Sequence, residues 1–192
     1  IAAGFLRHGI SVFMLDYRGY GRSQGKPVEE GVYQDARTAL GWLEGRVDPG
    51  GVVLHGASLG GAVAARLASV RPDVAGLILE STFTSLQEMA GVAYPFLPSF
   101  LRGRLGGQFD TLSLMAGLQM PLLVIHGSAD TLIPVAMGRA LHRAATERGG
   151  GRRAEWLEVQ GAGHNDVFPT GGEAYVRHMA DFVREVTPPP GP

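Results

Sequence analysis

Val52-Val53-Leu54-His55-Gly56-Ala57-Ser58-Leu59-Gly60-Gly61-Ala62-Val63-Ala64-Ala65-Arg66-Leu67 is the stretch that decides the fold. An apolar run, a small-residue turn and a helical pattern follow one another without a break. Within it, Gly56-Ala57-Ser58-Leu59-Gly60 is a G-x-S-x-G pentapeptide between strand and helix, the context that gives the motif its meaning. Such a turn forces the serine backbone into strain, so small residues must flank it. Gly56 and Gly60 are expected to let strand and helix approach, and Ser58 to stand exposed at the strand's end. The bland alternative is a glycine-rich turn with an incidental serine. A phosphate-binding loop fits poorly, because no Gly-Lys-Ser/Thr follows.

A serine needs a base, and the base needs an acid to orient it. Elbow-type hydrolases carry them in the chain order serine, acid, histidine. Pro121-Leu122-Leu123-Val124-Ile125-His126 reads as a buried strand followed by Gly127-Ser128-Ala129-Asp130. Ala154-Glu155-Trp156-Leu157-Glu158-Val159 reads as another, followed by Gly161-Ala162-Gly163-His164. Asp130 and His164 thus fall just past strand carboxyl ends, the edge where open α/β sheets bind ligands. Glu80, closing Leu77-Ile78-Leu79-Glu80, is the alternative acid. His164 beside Asp166 could instead ligate a metal, but a mononuclear site would need a further ligand, and a serine and an acid already await a base. His55 and His126 also end strands and are expected to pack or support the site.

These residues resemble the α/β-hydrolase superfamily, most closely the BEM46-like group that includes alpha/beta-hydrolase domain proteins of types 13 and 17. Asp16-Tyr17-Arg18-Gly19-Tyr20-Gly21-Arg22-Ser23, Leu79-Glu80-Ser81-Thr82-Phe83, His126-Gly127-Ser128-Ala129-Asp130 and Gly163-His164-Asn165-Asp166 carry the likeness, with the elbow. It implies ester or thioester hydrolysis by Ser58, His164 and Asp130, with the Leu59 N–H as one oxyanion donor. No metal or organic cofactor is implied. It also implies that the stretch begins inside the first helix of the fold. The second oxyanion loop and a central strand would then precede Ile1. That strand would lie between runs 11–16 and 51–55, leaving a gap between them.

The fold class expected is α/β: a mostly parallel, doubly wound sheet with helices on both faces, truncated at its N-terminus. Strands are expected near 11–16, 51–55, 75–80, 121–126 and 153–159, and helices near 30–46, 59–70, 84–93, 135–147 and 172–186. Continuous apolar runs such as Gly76-Leu77-Ile78-Leu79 indicate strands covered on both sides. Residues 1–186 read as one domain, with a cap-like insertion near 93–120 and a proline-rich tail at 187–192. Tyr94 and Phe96 in that insertion, with Tyr17, are candidates to line a substrate site; aromatic residues there could equally pack on the sheet.

The 192 residues are 45% hydrophobic and 18% charged, a globular composition. A formal net charge of −1 gives no pull toward nucleic acid, and no apolar run is long enough to span a bilayer. The absence of cysteine excludes disulfides, thiolate metal sites and a cysteine nucleophile, and leaves the compartment open. The partner expected is a small-molecule or acylated substrate; oligomeric state is not encoded in any motif. Other members of the fold cleave peptides, or keep the scaffold without catalysis. Both remain alternatives.

Overall fold

A computed structural model describes residues 2–93, 107–149 and 151–188. Four strands form one parallel sheet: β1 (Val53–Ala57), β2 (Gly76–Glu80), β3 (Leu122–Gly127) and β4 (Ala154–Val159). Their spatial order is β1-β2-β3-β4, the same as their order in the chain. The described helices are α1 (Ala2–Arg7), α2 (Glu29–Glu44), α3 (Leu59–Val70), α4 (Leu86–Ala93), α5 (Thr111–Leu114), α6 (Val135–Thr146) and α7 (Val167–Val186).

The sheet is covered on both faces, and the period of two along each strand sorts its residues. Leu77, Leu79, Leu122 and Val124 pack on one side with Val63 and Leu67 of α3, Leu141 of α6 and Leu40 of α2. Ile78, Leu123 and Ile125 pack on the other with Phe5 of α1 and with Val176, Met179 and Phe182 of α7. Successive crossovers of one hand in a monotonic strand order bring their helices to a single face. The second face is therefore closed by α1 and α7, which do not lie between sheet strands.

One expected strand is missing. Residues 11–16 form no strand, and Val12, Phe13, Met14 and Leu15 stand 39%, 44%, 75% and 38% exposed. Apolar side chains supply a tendency, but a strand exists only when a neighbour completes its hydrogen-bond ladder. Among the described residues β1 pairs on one side only, with β2, and nothing pairs with 11–16. Instead Phe13 stacks on Trp42 of α2 at 5.2 Å between ring centroids. The other four strands lie within two residues of the expected bounds. The last helix begins earlier than expected, at Val167, with a break at Gly172, whose φ of 56° a side-chain-bearing residue rarely adopts. Residues 94–106 of the insertion near 93–120, Tyr94 and Phe96 among them, lie outside the described residues.

Candidate active site

The elbow sits between β1 and α3. Ser58 has φ 53° and ψ −122°, outside the ordinary regions for a residue with a side chain. Two bonds hold it there. Its N–H donates to the Glu80 carbonyl at 2.9 Å, and the Thr82 hydroxyl donates to its carbonyl at 2.6 Å. Glu80 ends β2 and Thr82 follows it by two residues, so the neighbouring strand and its exit fix the turn. Gly56 is required as expected: a Cβ there would fall onto the Gly60 carbonyl. Gly60 is not crowded in the same way. A Cβ at Gly60 would meet nothing nearer than the Tyr17 hydroxyl, at 3.9 Å. The crowded second glycine is Gly61, where a Cβ would lie 2.5 Å from the Thr82 side chain. The sequence pattern drew attention to the wrong member of the pair, because Thr82 is distant in the chain.

His164 reaches the elbow from the loop after β4. Its Nε2 lies 3.1 Å from Ser58 Oγ, and its Nδ1 lies 2.8 Å from Asp130 Oδ2. A carboxylate only accepts, so Nδ1 carries the proton and Nε2 is free to accept the Ser58 hydroxyl. Asp130 follows β3, with its side chain fully buried. Its Oδ1 accepts the amides of Leu132 at 2.9 Å and Ile133 at 2.8 Å. The carboxylate is thereby turned so that Oδ2 faces the imidazole. The two loops are also joined directly. The Ser128 amide donates to the Val159 carbonyl, the Ala129 amide to the Ala162 carbonyl, and the Gly161 amide to the Ser128 hydroxyl. Asp166 is occupied by the Gly163 amide. Among the described residues no group of three histidine, aspartate or glutamate side chains is placed to hold a metal.

Glu80 lies at the same edge but meets a different histidine. Its Oε2 accepts from His55 Nε2 at 2.8 Å and from the Tyr175 hydroxyl at 2.7 Å. Burial pushes the Glu80 carboxyl up, but the bond and charge of His55, with the Tyr175 hydroxyl, outweigh it and hold the group below its ordinary value. Burial and the charge of Glu80 push the Tyr175 phenol up in turn. The carboxylate ties β2 to β1 and to α7.

The Leu59 amide opens α3, where no intrahelical carbonyl lies within reach, so it is free to meet a developing oxyanion. Tyr17 packs on the core with its hydroxyl 3.9 Å from where a Cβ on Gly60 would lie, and burial, with the Asp35 charge, raises its phenol. Arg18 then grips Asp35 of α2 through its backbone amide and guanidinium, the latter at 2.7 Å. Of the three candidate lining residues, Tyr17 is thus beside the elbow, and Tyr94 and Phe96 are outside the described residues. Thr82, Gly61, Ser128 and Tyr175 were not singled out from sequence for these contacts; each acts on residues far away in the chain.

Comparison with known proteins agrees with this architecture. A family described as serine aminopeptidase, S33, matches residues 1–114. A protein of Mycobacterium tuberculosis is 40% identical over 179 residues, covering 92% of this chain and 61% of that protein. The alpha/beta hydrolase domain-containing protein WAV2 of Arabidopsis thaliana is 36% identical, covering 93% of this chain and 62% of its own length. The human alpha/beta hydrolase domain-containing protein 17B is 33% identical, with 93% of this chain and 58% of its own length covered. The chain thus spans about three-fifths of the length of these relatives. Among solved structures, an alpha-beta hydrolase from Vibrio vulnificus has a TM-score of 0.74 at 27% identity, covering 97% of this chain and 66% of that one. An esterase from Pyrococcus furiosus shares the fold, with a TM-score of 0.79 at 20% identity, covering 96% of this chain and 74% of that one.

Proposed function

The chain belongs to the serine aminopeptidase S33 family of α/β hydrolases and has a serine-hydrolase-type fold; from that premise we propose that it cleaves a carboxylic ester or thioester through an acyl-enzyme on Ser58. The observation that carries this reading is the unbroken line Asp130 Oδ2, His164 Nδ1, His164 Nε2, Ser58 Oγ, with links of 2.8 and 3.1 Å. In the proposed first step Ser58 Oγ attacks the acyl carbon as its proton passes to His164 Nε2. Asp130 holds the imidazole in the right tautomer and stabilises it once charged. The carbonyl oxygen becomes an oxyanion, which the Leu59 amide stabilises as one donor of a pair. The intermediate collapses, the bond to the leaving oxygen or sulfur breaks, and His164 returns the proton to it. Water then attacks the acyl-Ser58 ester with the same histidine as base, freeing the acid and restoring the hydroxyl.

A second reading, peptide hydrolysis by the same residues, is favoured by the family's description as an aminopeptidase. The two differ only in the leaving group. Turnover of p-nitrophenyl acyl esters beside aminoacyl p-nitroanilides separates them. Ester turnover dominates on the reading preferred here, and Ser58→Ala removes it by on the order of 10⁶ while leaving cooperative unfolding intact. Ester turnover within tenfold of the unsubstituted protein in Ser58→Ala would rule Ser58 out as nucleophile.

A further inference from the structure

His126 stands one residue before the end of β3 and four before Asp130, and its ring is fully buried. Nε2 lies 2.9 Å from the Ile133 carbonyl oxygen and 3.4 Å from Asp130 Oδ2. Both oxygens only accept, so the proton sits on Nε2 and Nδ1 is left bare. Nδ1 is buried with no partner among the described residues. The backbone of α6 closes over it, where a Cβ on Gly138 would come within 2.5 Å of that nitrogen. A second proton would have to go on Nδ1, where nothing accepts it. Burial accordingly pushes the imidazole below its ordinary value, although the Ile133 carbonyl and the charge of Asp130 pull the other way. His164 adds to the lowering, and Glu158 opposes it.

The bond from His126 matters because of what it holds. Asp130 is aimed by the Leu132 and Ile133 amides on Oδ1. Those amides stay in place only while the turn from Asp130 to Ile133 keeps its shape. The carbonyl that ends this turn, on Ile133, is the one His126 grips. We propose that His126 is a positioning residue for the hydrolytic reaction, its Nε2–H locking the Asp130–Ile133 turn so that Asp130 Oδ2 points at His164. This rests on the reading of Asp130 as the acid of the triad. An uncharged donor suits the task. A cation in the same place would compete with the protonated His164 for the carboxylate, weakening the base when it is needed. An apolar side chain would strand a buried carbonyl without a donor.

The test compares three substitutions. Glutamine carries an N–H at about the reach of Nε2, asparagine falls short of it, and leucine has none. His126→Gln is expected to keep kcat for a p-nitrophenyl ester within about threefold, whereas His126→Asn and His126→Leu lower it about 10- to 100-fold at unchanged KM, the scale expected of a small misplacement. The decisive arm repeats His126→Asn in an Asp130→Asn background, with fluorophosphonate labelling of Ser58 as the readout. A residue that acts through Asp130 has no further effect there, so the two changes are strongly non-additive. A folded His126→Asn protein with unchanged kcat overturns the proposal, and so does the same fold-loss in both backgrounds. Either result leaves the triad standing. If the unsubstituted protein shows no Ser58-dependent turnover or labelling, the triad reading fails and this inference falls with it.

Discussion

Among the described residues two imidazole–carboxylate pairs at hydrogen-bond distance stand at one sheet edge, and in one of them the far imidazole nitrogen reaches the Ser58 hydroxyl. His164 meets Asp130 and His55 meets Glu80, each at 2.8 Å. By distance they are the same interaction. They differ in what surrounds the partners. Asp130 takes two backbone amides on one oxygen and offers the other to His164, whose far nitrogen reaches Ser58. Glu80 spends the oxygen that meets His55 on the Tyr175 hydroxyl as well, and the His55 ring lies edge-on to Phe5, 6.3 Å away. The first pair ends in the hydroxyl of Ser58, on a strained turn. The second ends in three structural elements. A histidine–carboxylate pair is therefore no signature of catalysis until its outer nitrogen is followed to a reacting group.

The sharpest way to break this contrast is to neutralise each carboxylate in turn. Asp130→Asn is expected to lower ester turnover by on the order of 10⁴, because the imidazole loses its tautomer and its counter-charge. Glu80→Gln is expected to keep turnover within tenfold. Steady-state kinetics on both purified proteins checks this. Equal losses would erase the distinction, and a larger loss at Glu80 would make it the acid.

A smaller effect separates the pairs by stability. Glu80 is ionised more readily folded than unfolded, so its contribution is fully present above about pH 4.5, its ordinary value, and is lost as pH falls through the lower folded value. Glu80→Gln should thus cost about 1–3 kcal/mol at pH 6, the usual range for a buried polar group deprived of its partner. The difference from the unsubstituted protein should shrink toward pH 3. Urea unfolding at both pH values reads it. An equal cost at the two would mean that Glu80 acts by packing and not by charge.

How far the sequence could be read follows from the range of each interaction. The elbow is local: Gly56 to Gly60 shows strand, turn and helix in five residues. Asp130 and His164 were legible because each follows an apolar strand in the expected order, a one-dimensional pattern. What was not legible is decided across the sheet. Thr82, which clamps Ser58 and crowds Gly61, is 24 residues from the serine. Tyr175, which takes the oxygen of Glu80, is 95 residues from it. Run 11–16 had the composition of a strand but no ladder partner among the described residues. Gly172 breaks α7 near the point where helical periodicity appeared to begin, so the turn before it was missed.

On the reading proposed here His164, and not His55, activates Ser58. Labelling with a fluorophosphonate probe, read by peptide mass mapping as a function of time, tests it without knowledge of the substrate. One adduct is expected, on Ser58, and its rate should fall by about 10²-fold or more in His164→Gln, the lower end of what general-base assistance contributes. His55→Gln should label within a few-fold of the unsubstituted protein. An adduct on another residue, or a His164→Gln protein that labels as fast as the original, would contradict the account.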